Sequence, residues 1–117
     1  MVKNIKLLVI RTADMKRLVD FYSLLGLEFQ YHQHGNAPYH YSAYIGPAVL
    51  EIYPLKKGQT EADKQLRLGL EVDNFNEVVQ ELLLHSVSFT EPAATDFGYM
   101  TIITDPDGRK VELYKSE

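Results

Sequence analysis

The sequence predicts an α+β fold: two tandem βαβββ modules forming a cupped, mostly antiparallel sheet, with helices on its outer face. Three observations lead there. Asp105-Pro106-Asp107-Gly108 meets the preferences of a type I turn, with Asp first, Pro at the φ-restricted second corner and Gly fourth. Apolar and β-branched residues flank it, Met100–Thr104 before and Val111–Tyr114 after, so the segment reads as a hairpin. Two apolar stretches are each followed by a helical stripe. Finally, the halves superimpose at an offset of about sixty, Leu7–Arg11 over Arg67–Glu71 and Glu51-Ile52-Tyr53 over Glu112-Leu113-Tyr114.

In chain order, Ile5–Ile10 is apolar on both faces, the pattern of a strand buried from both sides. Asp14 is placed to cap a helix whose Leu18, Phe21, Tyr22 and Leu25 form one stripe, with Gly26 at C′. Leu27–Tyr31 begins a strand, Gly35–Pro38 turns, Tyr39–Ile45 returns, and Ala48–Tyr53 closes the first half. Lys56–Lys64 is a polar linker. Leu66–Val72 alternates, with Leu66, Leu68, Leu70 and Val72 on one face and Arg67, Gly69 and Glu71 on the other. Asn74 and Glu77 resemble a capping box before the stripe Phe75, Val78, Val79 and Leu82. Ser86–Phe89 reads as a short strand and Thr90–Gly98 as a loop. Its part from Pro92 to Tyr99 is either a lid or a surface connection.

A chain of 117 residues is one domain with room for a core, module one spanning about 1–58 and module two about 64–117. No cysteine is present, so disulfides and Cys-ligated metals are excluded. The start of the chain has no signal-peptide pattern and no stretch is long and apolar enough to span a bilayer, which places the protein in the cytoplasm. Net charge is −4 without a basic stripe, which argues against nucleic acid as a partner.

The residues Asp14, Phe21-Tyr22-Ser23-Leu24-Leu25-Gly26-Leu27-Glu28-Phe29, Asp105-Pro106-Asp107-Gly108 and Lys110-Val111-Glu112-Leu113 resemble the glyoxalase/bleomycin-resistance/dioxygenase (vicinal oxygen chelate) superfamily. The likeness covers both modules and implies a cavity, often completed in a homodimer. Metal-dependent members similar to glyoxalase I carry ligands in the first and last strand of each module, positions that fall here on Leu7, Glu51, Arg67 and Glu112. Only the two glutamates suit a metal. Leu7 has no donor atom and Arg67 has no lone pair to give.

Two carboxylates in one cavity resist double ionisation unless a cation lies between them. Arg67 is expected to take that place, paired with Glu112 and Glu51, and its removal to cost about 3–5 kcal/mol by leaving buried charge uncompensated. Glu51 and Glu112 are therefore candidates for acid–base catalysis, for ligand contact or for structural pairing. Tyr53 and Tyr114, two residues after each carboxylate, face the same way and suit stacking on a planar ligand. Met100 and Ile102 supply an apolar wall. Arg11 and Glu71 hold equivalent places in the two repeats and are expected to pair. His32, His34 and His40 lie around the Gly35–Pro38 turn, either as a distorted metal cluster or as a solvated edge. Tyr31, Tyr39, Tyr41 and Tyr44 surround them.

The reading is a small-molecule-binding, homodimeric protein without a resident cofactor, its ligand contacts being Arg67, Glu51, Glu112, Tyr53, Tyr114, Met100 and Ile102. The alternatives are a metal-dependent lyase, isomerase or dioxygenase with an altered ligand set, any divalent metal resting on Glu51 and Glu112, and an interaction module with a filled cavity.

Overall fold

Alternating apolar residues in each half become one four-stranded mixed sheet with one helix. The computed structural model describes residues Met1–Glu117. The first module holds Leu7–Thr12 (β1), Met15–Ser23 (α1), Gln30–His32 (β2), His40–Ile45 (β3) and Ala48–Pro54 (β4). The second holds Leu68–Val72 (β5), Phe75–Leu84 (α2), Ala93–Thr95 (β6), Gly98–Thr104 (β7) and Lys110–Lys115 (β8). The strand orders are β1-β4-β3-β2 and β5-β8-β7-β6, so the modules repeat one topology in two separate sheets. In each, the first and last strands pair in parallel and the others antiparallel. The chain divides into compact units Met1–Asp63 and Lys64–Glu117, splitting inside the polar stretch read as a linker.

Register assigns the two faces of the first sheet. Ile10 and Thr12 of β1, Leu50 and Ile52 of β4 and Ala43 of β3 are buried, as are Leu18, Val19, Phe21 and Tyr22 of α1. The opposite face carries Leu7, Val9 and Arg11, paired in register with Val49, Glu51 and Tyr53. Ser42 and Tyr44 lie across from Glu51 and Val49, and His32 across from His40. Asp14 caps α1 by accepting from the Arg17 N–H at 3.1 Å. Three successive i→i+3 bonds from Leu24, Leu25 and Gly26 tighten the helix end, so Gly26 (φ +93°) falls one residue beyond the expected C′ place.

The second sheet buries Leu68, Val111, Leu113, Thr101 and Ile103 with Phe75 and Leu82 of α2. Gly69 pairs with Glu112, Glu71 with Tyr114, Ile102 with Glu112 and Met100 with Tyr114 on the other face.

Several local expectations are corrected. β1 is not buried from both sides: Leu7 is 54% and Val9 40% exposed, because a single helix covers only the other face. Asn74 makes no side-chain cap, so the capping box does not form. Ser86–Phe89 is not a strand. Ser86 has a positive φ, which breaks extension, and Phe89 makes only an isolated bridge to Ile103. The edge strand is β6, inside the expected loop. Thr95 Oγ1 donates to the Gly98 carbonyl at 2.7 Å and accepts from the Phe97 N–H at 3.1 Å, so the suggested lid is a tied hairpin.

The turn before β8 forms as read, with the Gly108 N–H donating to the Asp105 carbonyl at 2.9 Å. What the pattern did not reveal is Arg109, only 1% exposed. Its guanidinium donates to Asp105 Oδ2 at 3.2 Å and Asp107 Oδ2 at 2.9 Å. Asp105 Oδ1 accepts the backbone N–H groups of Asp107 and Arg109 at 2.9 and 3.0 Å. Burial pulls the Arg109 pKa down, but hydrogen bonds to Asp107 and Asp105 outweigh it and the net shift is upward. Truncating one partner leaves the other charge buried. Arg109→Ala is therefore expected to lower the unfolding free energy by about 3–5 kcal/mol in a urea titration; a loss below about 1 kcal/mol would contradict the pairing.

Candidate functional site

The open face of the first sheet forms a cavity of about 710 Å³. Glu51 and Val49 of β4, Ser42 and Tyr44 of β3, and His32 of β2 line it, with His34 and the Gly26–Gln30 segment at its side. Pleating explains the set: His40, Ser42 and Tyr44 alternate on β3, opposite Glu51 and Val49. His40 is fully buried, its Nδ1 3.1 Å from the Pro38 carbonyl and its ring stacked on Tyr53 at 4.1 Å and 9°. Arg11 donates to the Pro54 carbonyl at 3.0 Å and lies 4.9 Å from the Tyr53 ring centre. Tyr53 is thus held by its neighbours. Glu51 Oε2 lies 3.4 Å from His40 Nε2, and Ser42 Oγ lies 2.8 Å from His32 Nε2.

In the second module Glu112 and Tyr114, with Gly69, Leu70, Glu71 and Phe97, line a more open hollow of about 410 Å³. The Tyr114 hydroxyl donates to Glu112 Oε1 at 2.6 Å, and Arg67 pairs with Glu112 Oε2. These partners, Tyr114 first and Arg67 second, hold the Glu112 carboxyl below its ordinary pKa, and Glu112 in turn raises that of the Tyr114 phenol. Gly69 lies beside the Tyr114 ring, where an added Cβ would make an ordinary contact at 3.6 Å. Met100 and Ile102 stand on this same face, both half-buried.

The residues singled out in the sequence are thus divided. Glu51 lines the first cavity, with Tyr53 on the same sheet face; Glu112 and Tyr114 line the second hollow, with Arg67 paired to Glu112 and Met100 and Ile102 on the same sheet face. The expected buried role of Arg67 is corrected. It precedes β5, and its side chain is 70% exposed. A pair of that kind contributes about 1 kcal/mol or less, because water screens it. Glu51 has His40 beside it instead. The missing signal was register: only β3–β4 pairing brings Ser42 and Tyr44 to Glu51, and the sequence gives no direct measure of it.

The four positions that carry metal in glyoxalase I-like relatives do not fit an ion here. Leu7 offers no donor, Arg67 offers only N–H groups, and Glu112 is already engaged by Tyr114 and Arg67.

The family model for the Glyoxalase/Bleomycin resistance protein/Dioxygenase superfamily matches residues 4–113, and the chain belongs to that superfamily. No curated protein sequence matches it. Solved structures share the fold at low identity. An antibiotic-binding protein, TnmS3 from Streptomyces sp., has a TM-score of 0.77 at 21% identity, over 99% of this chain and 98% of that one. A putative glyoxalase family protein from Bacillus anthracis has a TM-score of 0.77 at 15% identity, over 100% and 98%. The oxidase ChaP-H2 has a TM-score of 0.74 at 15% identity, over 100% and 96%.

The Glu112 cluster has a direct test. In Tyr114→Phe the carboxylate loses its first donor, so its pKa, followed by carboxyl NMR, is expected to rise toward the ordinary glutamate value. Arg67→Ala is expected to raise it less. Because the folded-state pKa is lowered, the associated stability is present above the ordinary carboxylate range and is lost as pH falls through the lowered value. An unchanged titration in Tyr114→Phe would refute the arrangement.

Proposed function

We propose that this protein binds and sequesters a compact organic molecule, an antibiotic or metabolite, in the open-face cavity of its first module. No ion at the superfamily's usual four positions takes part. The observation that carries this reading is the cavity itself. Its volume of about 710 Å³ is in the range of small-molecule sites, about 300–1,000 Å³, and its lining mixes Phe29, Tyr44 and Val49 with Glu51, Ser42 and two histidines. Apolar walls supply affinity through burial, and a few converging polar groups fix orientation. Glu51 at the cavity wall favours a ligand that presents an amine or another hydrogen-bond donor. The superfamily includes proteins that bind rather than transform their ligands, and the fold's likeness to an antibiotic-binding protein supports that side of it.

The second hollow, lined by Glu112 and Tyr114, is smaller and its carboxylate is already engaged by Tyr114 and Arg67; its role in this reading is structural, as is that of Met100 and Ile102 on the same sheet face. Homodimer formation accords with the exposed apolar Leu7, Val9 and Tyr44 beside the cavity. A cytoplasmic setting accords with the absence of any helix long and apolar enough to cross a membrane.

The test is a thermal-shift screen of the full chain, kept in chelator, against a panel of aromatic amines, polyketide-like antibiotics and neutral controls. A donor-bearing member is expected to stabilise the protein. Glu51→Gln is expected to weaken that ligand by about tenfold or more, the difference between a charged and a neutral acceptor. A panel without a single stabilising compound, or a hit indifferent to Glu51→Gln but abolished by Glu112→Gln, would reject the site.

A further inference from the structure

We infer that the β2–β3 hairpin carries a site for a divalent first-row transition metal, bound by His32, His34 and His40 with Glu51 as fourth donor. The three histidines lie outside the superfamily's usual ligand positions, Glu51 alone being shared with them, and the site does not depend on an organic ligand being bound. One short hairpin supplies all three imidazoles. His34 follows two residues after His32 with its ring centre 4.6 Å away, and His40 stands directly opposite His32 in the strand register. One potential ligand atom from each ring lies within 4.8 Å of the other two. The ring centres are 4.6, 4.6 and 5.2 Å apart, and the planes are tilted by 70°, 46° and 43°. A solvated hairpin edge would leave such rings splayed; here one of them, His40, is completely shielded from solvent.

His40 makes the strongest argument. Its Nδ1 faces the Pro38 carbonyl, which can only accept, so Nδ1 carries the proton and Nε2 keeps its lone pair. That Nε2 is buried and has no hydrogen-bond partner. Glu51 Oε2, also an acceptor, lies 3.4 Å from it. Two acceptors facing each other in a shielded place are answered by a proton on Nε2 or by a metal ion, and the two further imidazoles beside them point to the ion. In a tetrahedral zinc site, bonds of about 2.0–2.2 Å to nitrogen and oxygen hold two donor atoms about 3.4 Å apart. The His40–Glu51 separation already has that value. The other two imidazoles need approach by about 1.4 Å at most to reach the same spacing. His34 has the freedom to do so, being exposed and beyond the end of β2.

The surroundings serve the same end. The Pro38 carbonyl fixes the tautomer of His40, Tyr53 stacks flat against its ring, and Ser42 Oγ fixes the rotation of His32. Three neutral imidazoles leave a divalent charge uncompensated, and the Glu51 carboxylate halves it. Nitrogen-rich, borderline donors without sulfur suit zinc and its first-row neighbours rather than calcium or magnesium.

The experiment is calorimetric titration of chelator-treated, full-length protein with zinc chloride, with cobalt(II) as a spectroscopic substitute. One ion per chain is expected, and cobalt is expected to show the intense visible bands of tetrahedral coordination. His34→Ala changes an exposed residue outside the strands and is expected to leave folding, followed by circular dichroism, intact. It is expected to weaken zinc by at least about 10–100-fold, the range produced by loss of even an outer partner. Glu51→Gln is expected to weaken it as well, and Glu112→Gln to leave it unchanged. No saturable binding, full-strength binding in His34→Ala, or loss confined to Glu112→Gln would each overturn the site. The ligand screen is run in chelator and this titration without organic ligand, so failure of one leaves the other standing; an ion at the site would share Glu51, His32 and His34 with the cavity.

Discussion

A four-stranded sheet with one helix can bury only one of its faces. That constraint shapes both modules. The residues of alternating parity that meet α1 or α2 are mostly apolar and inaccessible; those of the other parity are mostly accessible, His40 excepted, and they are where the polar chemistry collects. Glu51, Ser42, His40 and Tyr53 share a face because β4 lies between β1 and β3 in a register that admits no one-residue slip. A slip would send Leu50 and Ile52 outward and the carboxylate into the apolar layer against the helix.

The same constraint acts on the second module, yet the equivalent carboxylates end in different company. Glu112 accepts from Tyr114 and pairs with an exposed arginine, so its negative charge is answered by fixed donors. Glu51 faces a buried imidazole nitrogen with no hydrogen-bond partner. Symmetry of topology therefore does not carry over to symmetry of chemistry. The superfamily fold supplies the two carboxylates in matching places, while their neighbours, Arg67 and Tyr114 in one module and His40 in the other, decide what each carboxylate does.

The turn into β8 illustrates a similar division within one motif. Asp105-Pro106-Asp107-Gly108 is recognisable as a turn from residue preferences alone. Its first aspartate nevertheless serves three donors at once, two backbone N–H groups and the guanidinium of Arg109. An arginine next to a turn looks like a surface residue in any one-dimensional reading. Its burial follows from two carboxylates that the turn folds around it, which makes a charged side chain part of the interior.

Sequence by itself determined the tandem modules, the helical stripes, most strand positions, the turn at Asp105–Gly108 and the superfamily. The superfamily rests on the resemblance of its motifs; the others follow from local preference, periodicity or the internal repeat, which the order of residues states directly. It also placed Glu51 and Glu112 on non-apolar faces and brought His32, His34 and His40 to one hairpin. Tertiary structure alone decided that Arg67 lies in solvent, that Ser86–Phe89 yields its strand place to Ala93–Thr95, that Leu7 and Val9 go uncovered, and that His40 is shielded beside Glu51. Those outcomes depend on which strands become neighbours and on how much surface one helix can cover. Pairing and coverage join residues far apart in the chain, and no local pattern encodes them.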